Sequence, residues 1–193
     1  MQEENFSAQD SLHLIQSMIN KTRSDLNENR IYFLLWGWVS FLATISQFIL
    51  KVWVGYERHY LVWRITIPAA VFTIIYSFRK SKRRSVRTYV GDNMSSLWTG
   101  IGISFFILSF IFSRQPTGWA GAWPFFILFY GMGTFISGGL LQFRPLVIGG
   151  IFNWILAIIS VFVVYDYQLL IAAVAILTSY IIPGHLLKNV NNS

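Results

Sequence analysis

Residues 145–187 read PLVIGGIFNWILAIISVFVVYDYQLLIAAVAILTSYIIPGHLL, and Asp166 is the one charged residue among them at neutral pH. A helix needs about 20 residues to cross the hydrocarbon core of a bilayer. The stretch is therefore long enough for two crossings that are joined by a very short turn at Asp166. It predicts a helical hairpin that spans a membrane.

The chain before this hairpin contains four more apolar blocks of similar length. Backbone groups inside a bilayer find no water to bond, so blocks of this length must form helices. The six predicted spans are residues 31–52, 60–78, 97–113, 119–142, 145–165 and 167–187. The predicted fold class is all-α: a polytopic membrane protein with a six-helix transmembrane bundle at 31–187, a cytoplasmic amphipathic arm at 1–30 and a short tail at 188–193.

The composition supports a membrane protein and excludes several kinds of site. The chain of 193 residues is 54% hydrophobic and 12% charged, whereas soluble domains carry about 25% charged residues. Cysteine is absent, which excludes disulfides and thiolate metal sites. The three histidines lie on separate segments without metal-ligand spacing, so no metal or cofactor is expected.

The basic residues are distributed unequally between the two sides of the predicted bundle. Eleven of the fifteen lie in the arm, the tail and the loops after the second and fourth spans. Three lie on the other side, and Arg64 lies within the second span. Because loops rich in Lys and Arg stay in the cytoplasm, both termini are expected on the cytoplasmic side.

The N-terminal arm contains one amphipathic segment, residues 7–27. Its apolar residues recur at spacings of three and four, as they do in a helix with one apolar face. The helix could fold back onto the protein or self-associate, lie on the inner leaflet, or hold another protein. The mixed charge of its polar face favours the first of these. The expected docking face consists of Leu12, Ile15, Ile19 and Leu26.

A basic run follows the second span. It could bind anionic lipid headgroups, worth about 1 kcal/mol per cation near the surface, or it could serve only to fix the orientation of the chain, which is the favoured interpretation. Nucleic acid is not expected, because the run lacks interleaved aromatic residues. The candidate headgroup residues are Arg79, Lys80, Lys82, Arg83, Arg84 and Arg87.

Two charged residues lie at the predicted outer ends of spans. Arg64 is near the start of the second span, and Asp166 lies in the turn between the fifth and the sixth. A charge at this depth is costly unless it is paired or reaches water. An ion pair between Arg64 and Asp166 is therefore a hypothesis, with Glu57 as a rival partner and snorkelling of Arg64 as the alternative.

Small residues four apart predict close packing between helices, because they let two backbones approach. Pro68, inside the second span, predicts a kink since it lacks a backbone N–H. The small-residue sets are Gly100 and Ser104, Gly133 and Ser137, and Gly149, Asn153 and Ala157.

The sequence contains no convincing catalytic constellation. Ser137 and His185 lie on two spans, as a serine and a histidine do in rhomboid proteases. However, Ser137 comes late in a span that runs inward, and the surrounding Gly-x-Ser-x pattern is missing. Since a catalytic triad is defined by geometry and not by composition, serine-protease chemistry is not expected. A lipid-modifying enzyme is the third alternative, after an interaction protein and a transporter.

Three segments resemble a group of uncharacterised bacterial membrane proteins. The resemblance implies a small inner-membrane protein with an N-terminal amphipathic helix and six spans, and it implies no activity. The segments are Leu34-Leu35-Trp36-Gly37-Trp38 after the predicted helix Ser11-Leu12-x-Leu14-Ile15-x-x-Met18-Ile19, Phe135-x-Ser137-Gly138-x-Leu140-Leu141-x-Phe143-x-Pro145-Leu146, and Ile182-Pro183-Gly184.

The expected function is interaction rather than catalysis. The chain would act as a regulatory or scaffolding protein, with the lipid bilayer, anionic lipids, another membrane protein or further copies of itself as partners. The alternative is a small transporter or channel for a compact solute. The path of the solute could be lined by Thr99, Ser104, Ser109, Tyr130, Asn153 and Thr178.

Overall fold

The computed structural model describes residues 30–83, 89–116 and 118–189, and this part of the chain is helical without any strand. Helix α1 spans Arg30–Trp53 and ends in a π-helical segment, Ile49–Trp53. A 3-10 segment, His59–Ile65, leads into α2 at Thr66–Arg83. The next helices are α3 at Tyr89–Arg114, α4 at Ala122–Leu140 and α5 at Arg144–Val161. The sixth span consists of α6 at Tyr165–Ile176, a π-helical segment at Leu177–Ile181 and α7 at Ile182–Asn189.

Six helices in the described ranges are long and apolar enough to cross a membrane, which confirms the predicted number. The largest difference in bounds is in the third, where α3 begins at Tyr89 and not at residue 97. Met94 of this added segment is buried in the core beside Leu141 and Leu146. The first turns of α3 therefore belong to the packed bundle and not to a loop.

The fourth and fifth helices are joined by a tight turn. The N–H of Phe143 bonds to the carbonyl of Gly138 at 2.9 Å, and that of Gln142 bonds to Gly139 at 3.2 Å. This pair of bonds closes the end of α4 in the way a Schellman motif does. Gln142 takes the left-handed conformation, with φ at 51°, that glycine usually occupies there. Pro145 then starts α5, where its missing N–H costs no hydrogen bond.

The six helices are not equally buried. In the sixth span 56% of the residues in its apolar 18-residue stretch are buried, and the fractions for α1, α4 and α5 are 39%, 39% and 33%. The corresponding fractions are only 6% for the second span and 11% for α3. A core of four helices therefore carries two peripheral helices, α2 and α3.

Small residues set the closest approaches within this core. A methyl group on Gly150 would lie 2.7 Å from the backbone nitrogen of Phe135 across the α4–α5 contact, and one on Gly37 would lie 3.0 Å from Cβ of Tyr180. Gly133 and Gly149 are similarly enclosed, as predicted. Gly100 differs from the prediction, since nothing lies within 4 Å of its missing methyl group.

Pro68 lies close to a change of helix type in the second span. It falls in the first turn of α2, directly after the 3-10 segment His59–Ile65. Because a proline in the first turn has no helical hydrogen bond to lose, the chain accommodates it by starting the α-helix at Thr66. The expected irregularity is present as a change of helix type.

Candidate functional site

A row of polar side chains lies along one face of α1, inside the bundle. Ser40, Thr44, Gln47 and Lys51 follow one another at spacings of four, three and four, so they share one helix face. Ser40, Thr44 and Gln47 are 2%, 0% and 3% exposed. We call these four residues the polar seam. Since buried polar groups at membrane depth are rare and usually functional, the seam is the leading candidate site.

Gln47 is the centre of the seam's hydrogen bonds. Its Oε1 accepts a bond of 2.6 Å from the indole N–H of Trp63. Its Nε2 lies 3.2 Å from Nδ1 of His59 and 3.5 Å from the hydroxyl of Tyr165. One side chain thus joins α1 to the 3-10 segment before α2 and to the start of α6.

Lys51 and Asp166 form an ion pair at the end of the seam. Their side chains are 30% and 37% exposed, and the Lys51 ammonium also lies 4.0 Å from the ring centre of Tyr165. The hypothesis of a pair between Arg64 and Asp166 is thus replaced: among the described ion pairs, the carboxylate belongs to Lys51. The reason is geometric, because the π-helical end of α1 places Lys51 beside the first turn of α6.

The seam ends among aromatic and apolar residues at its other limit. The Ser40 hydroxyl lies 3.3 Å from that of Tyr130 on α4. The Tyr130 ring meets the Tyr180 ring edge-on, with 5.2 Å between their centres. Tyr180 and Phe33 then belong to a buried apolar cluster. The polar seam therefore extends from the half-buried Lys51–Asp166 pair into the bundle and stops at this cluster.

A second group of buried polar side chains lies between α5 and the sixth span. Asn153 is fully buried, and its Nδ2 donates to the Ser179 hydroxyl at 3.1 Å, within the π-helical segment. Gln168 donates to the carbonyls of Ser160 and Val163, both at 3.0 Å, and so closes the end of α5. The oxygen atoms of the Asn153 and Gln168 amides have no partner in the described residues. Buried water commonly satisfies such atoms.

Three tryptophans point into the bundle instead of marking only its rims. Trp36 donates to Thr73 on α2 at 3.2 Å, and Trp98 donates to Ser137 on α4 at the same distance. Trp63 donates to Gln47. These indole N–H groups therefore fix one helix to another, although their positions near span ends match the headgroup regions that tryptophan prefers.

The residues of the possible solute path are dispersed, and Ser137, which was considered and rejected as a catalytic serine, lies in the core. The Ser137 hydroxyl donates to the Met94 sulfur at 3.2 Å, so it is engaged within the core. Among the path residues, Tyr130 and Asn153 face the interior, whereas Thr99 is exposed on α3. No group of three or more potential metal ligands occurs among the described residues.

The other predicted sites lie only partly within the residues that the structure describes. Arg79 is exposed in the last turns of α2, and the backbone of Lys80, Lys82 and Arg83 continues that helix. The predicted docking face of the arm and the end of the basic run lie outside the described residues. These are Leu12, Ile15, Ile19, Leu26, Arg84 and Arg87.

The seam itself was missed by the sequence analysis, although its signal was available. The four polar residues of α1 recur at helical spacing within an otherwise apolar span. The partners Trp63 and Tyr165 carry no such signal, since tryptophan and tyrosine near span ends are ordinary.

Comparison of the chain with protein-family models, with curated proteins and with solved structures gives no match. The conclusion that stands is therefore a structural one: the chain is an all-helical protein with six helices able to span a membrane in its described part.

Proposed function

We propose that this chain is a non-enzymatic membrane protein of regulatory or scaffolding type that acts through lateral contact with protein or lipid. The observation that supports the proposal is the exposure of α2 and α3, which contrasts with the packed core of four helices. Large apolar side chains cover both helices: Phe72 is 52% exposed, Phe78 68% and Phe106 75%. Within a bilayer, such a surface contacts lipid or another helix.

The glycines of α3 favour a protein partner on this surface. Nothing lies within 4 Å of a methyl group built on Gly100 or Gly102. Small residues at open positions let a second helix approach closely. A further copy of this chain or another membrane protein is the expected partner, and a lipid-only surface is the competing outcome.

Disulfide crosslinking in native membranes tests this proposal, and the absence of cysteine makes single-cysteine variants straightforward. The test variants are Phe72→Cys on α2 and Phe106→Cys on α3. Ile158→Cys on α5 is the matched control, since Ile158 is 64% exposed on a core helix. We expect oxidised dimers, or adducts with one partner, from the first two variants and not from the control.

Two results would overturn the proposal of a protein partner on this surface and favour contact with lipid alone. One is equal crosslinking at all three positions, which indicates random collision. The other is no crosslinking at any position, combined with a monomeric mass in lipid nanodiscs.

We also propose that the protein lies in a bacterial inner membrane with both termini in the cytoplasm. The excess of basic residues on one side supports this orientation. The Lys51–Asp166 end of the seam would then face outward.

The arm is proposed to dock on the inner leaflet or on the bundle through its apolar face. Changing Ile15 and Ile19 together to Asp should release it, and protease cutting before Arg30 should increase. Unchanged cutting would contradict docking.

The basic run at Arg79–Arg87 is tested with vesicles that contain or lack anionic lipid, which show whether the run adds affinity for the lipid. Equal binding to both would leave orientation of the chain as its role.

A second candidate function, a transporter for a compact solute, is supported by the polar seam. The seam carries polar groups from a half-buried ion pair to the buried Ser40. Proton flux into proteoliposomes under an imposed potential provides a test. Flux that depends on Gln47 would favour transport, and flux equal to that of empty vesicles would exclude proton transport.

A further inference from the structure

Polar contacts of the second span with α1 include a bond between Tyr32 and Ser77 near the end of the span. Trp36 of α1 bonds to Thr73 midway along α2. At the start of the span, Gln47 contacts both His59 and Trp63 of the 3-10 segment. Only 6% of the residues in the apolar stretch of this span are buried, so it has little packing to hold it in place. The contacts at Gln47 therefore matter for its position.

The hydrogen bonds at Gln47 determine the protonation of His59. An indole N–H can only donate, so the Gln47 atom 2.6 Å from Trp63 must be the oxygen. The amide nitrogen of Gln47 then faces Nδ1 of His59 at 3.2 Å. Because an amide NH2 group also only donates, Nδ1 must accept. His59 is therefore neutral and carries its proton on Nε2.

We propose that His59, Gln47 and Trp63 form a proton-sensitive latch that fixes the start of the second span to α1. A second proton on His59 would place an N–H on Nδ1 opposite the amide NH2 group of Gln47. Rotating the amide by a half-turn would satisfy His59 but would oppose the NH2 group to the Trp63 indole. In either orientation one contact is lost, so protonation opens the latch.

The charged and titratable groups around His59 do not remove this conflict. The charged groups that act on His59 are Lys51 of α1 and Asp166 of α6. These two groups are paired with each other, so their effects oppose. The Tyr165 hydroxyl faces Gln47, and the Tyr60 ring meets the His59 ring edge-on at 6.0 Å. Histidine ordinarily titrates between about pH 5 and 8, so the latch is closed at the upper end of this range and opens as the pH falls.

The latch does not depend on the proposed lateral function, and it can be measured directly. Nitrogen-15 spectra of the histidines in full-length protein in nanodiscs report the protonation of His59, with His59→Phe assigning the signal. Spin labels at Ile67→Cys on α2 and Ile158→Cys on α5 report the position of the second span. Both labelled side chains are exposed, at 63% and 64%.

In the protein that carries only the labels, we expect Nδ1 of His59 to accept a hydrogen bond at high pH. The distance between the labels at Ile67 and Ile158 reports two populations, one with the second span in place and one with it displaced. The displaced population should rise at least about threefold as the pH falls from about 8 to about 5. His59→Phe should abolish the pH response. His185→Phe, which changes an exposed histidine on α7, is the matched control and should preserve it.

Two variants of the latch itself test the hydrogen-bond logic. Gln47→Glu supplies a group that accepts from both Trp63 and protonated His59, so acidification should tighten the contact and reverse the response. Trp63→Phe frees the amide to rotate, so the response should disappear. Because the two variants perturb the site differently, one of them remains informative if the other fails to fold.

The proposal is overturned by any of four results. These are a protonated Nδ1 at high pH, a His59 signal that does not titrate in this range, a distance that does not follow that titration, and a Gln47→Glu variant that responds to pH with the original sign.

Discussion

At the scale of single residues, the Lys51–Asp166 pair invites a double-mutant cycle. Both side chains are about one-third exposed, so water screens the pair and a coupling of about 0.5–1 kcal/mol is expected. The cycle consists of Lys51→Ala, Asp166→Ala and the double variant, measured by unfolding in detergent. Arg64→Ala with Asp166→Ala is the matched control, and its coupling should be near zero. A larger coupling for the Arg64 pair would restore the hypothesis that this structure replaces.

Gln47 should contribute more to stability than its neighbour in the seam. Gln47→Leu would leave the Trp63 N–H without its acceptor, and an unsatisfied buried donor costs about 1–3 kcal/mol. Thr44→Val is the control, because within the described part of the chain the Thr44 hydroxyl donates to the Ser40 carbonyl of its own helix, at 2.7 Å, and to no other helix. We expect Gln47→Leu to lower the free energy of unfolding by that amount and Thr44→Val to change it little. Equal losses would show that the contacts at Gln47 contribute nothing specific.

At the scale of helices, the α4–α5 contact depends on the absence of a side chain at Gly150. A methyl group there would lie 2.7 Å from the nitrogen of Phe135 and 2.8 Å from the carbonyl oxygen of Gly131, and neither backbone atom can move away cheaply. Gly150→Ala should therefore destabilise the protein by about 1–3 kcal/mol.

Gly102→Ala on α3 is the matched control for Gly150→Ala. Nothing lies within 4 Å of its added methyl group, so only the helix propensity changes, in favour of alanine by about 0.5–1 kcal/mol. Thermal unfolding in detergent compares the two variants. A loss of stability in both would point to a partner on α3, and a loss in neither would contradict the tight α4–α5 contact.

The helices could be predicted from the sequence because length and apolarity determine them locally. Residues 145–187 alone contain two of the six spans, and the turn at Asp166 is visible between them. The partner of Asp166 could not be predicted in the same way. Lys51 and Arg64 are both basic residues near span ends, and the π-helical segment Ile49–Trp53 that brings Lys51 to Asp166 leaves no mark in the sequence.

The candidate site was less predictable than the fold for a similar reason. The spacing of the polar seam on α1 was readable in the sequence, but the helices that face it depend on the arrangement of all six spans. Tyr130 and Tyr165 meet the seam from α4 and α6, far along the chain. At Gly100 the sequence predicted a contact that the structure lacks. Its spacing from Ser104 favours helix packing, yet nothing in the described residues lies within 4 Å of a methyl group built on it.

At the scale of the whole molecule, the orientation across the membrane can be tested with reporter fusions. The eleven basic residues on one side predict that Ser193 lies in the cytoplasm. A fusion to alkaline phosphatase after Ser193 should be inactive, and one after Gly55, between the first two spans, should be active. The reverse pattern would invert the proposed topology, and equal activity at both sites would contradict an odd number of crossings between them.

Helix α1 makes contacts with a span that is synthesised much later. Arg30 bonds to the Gly184 carbonyl and Lys51 pairs with Asp166, partners that follow 154 and 115 residues later. At about 5–20 residues per second, synthesis of the intervening chain takes roughly 6–30 s. During that interval these groups of α1 lack their final partners. The two ends of α1 therefore acquire these contacts only after the sixth span has been synthesised.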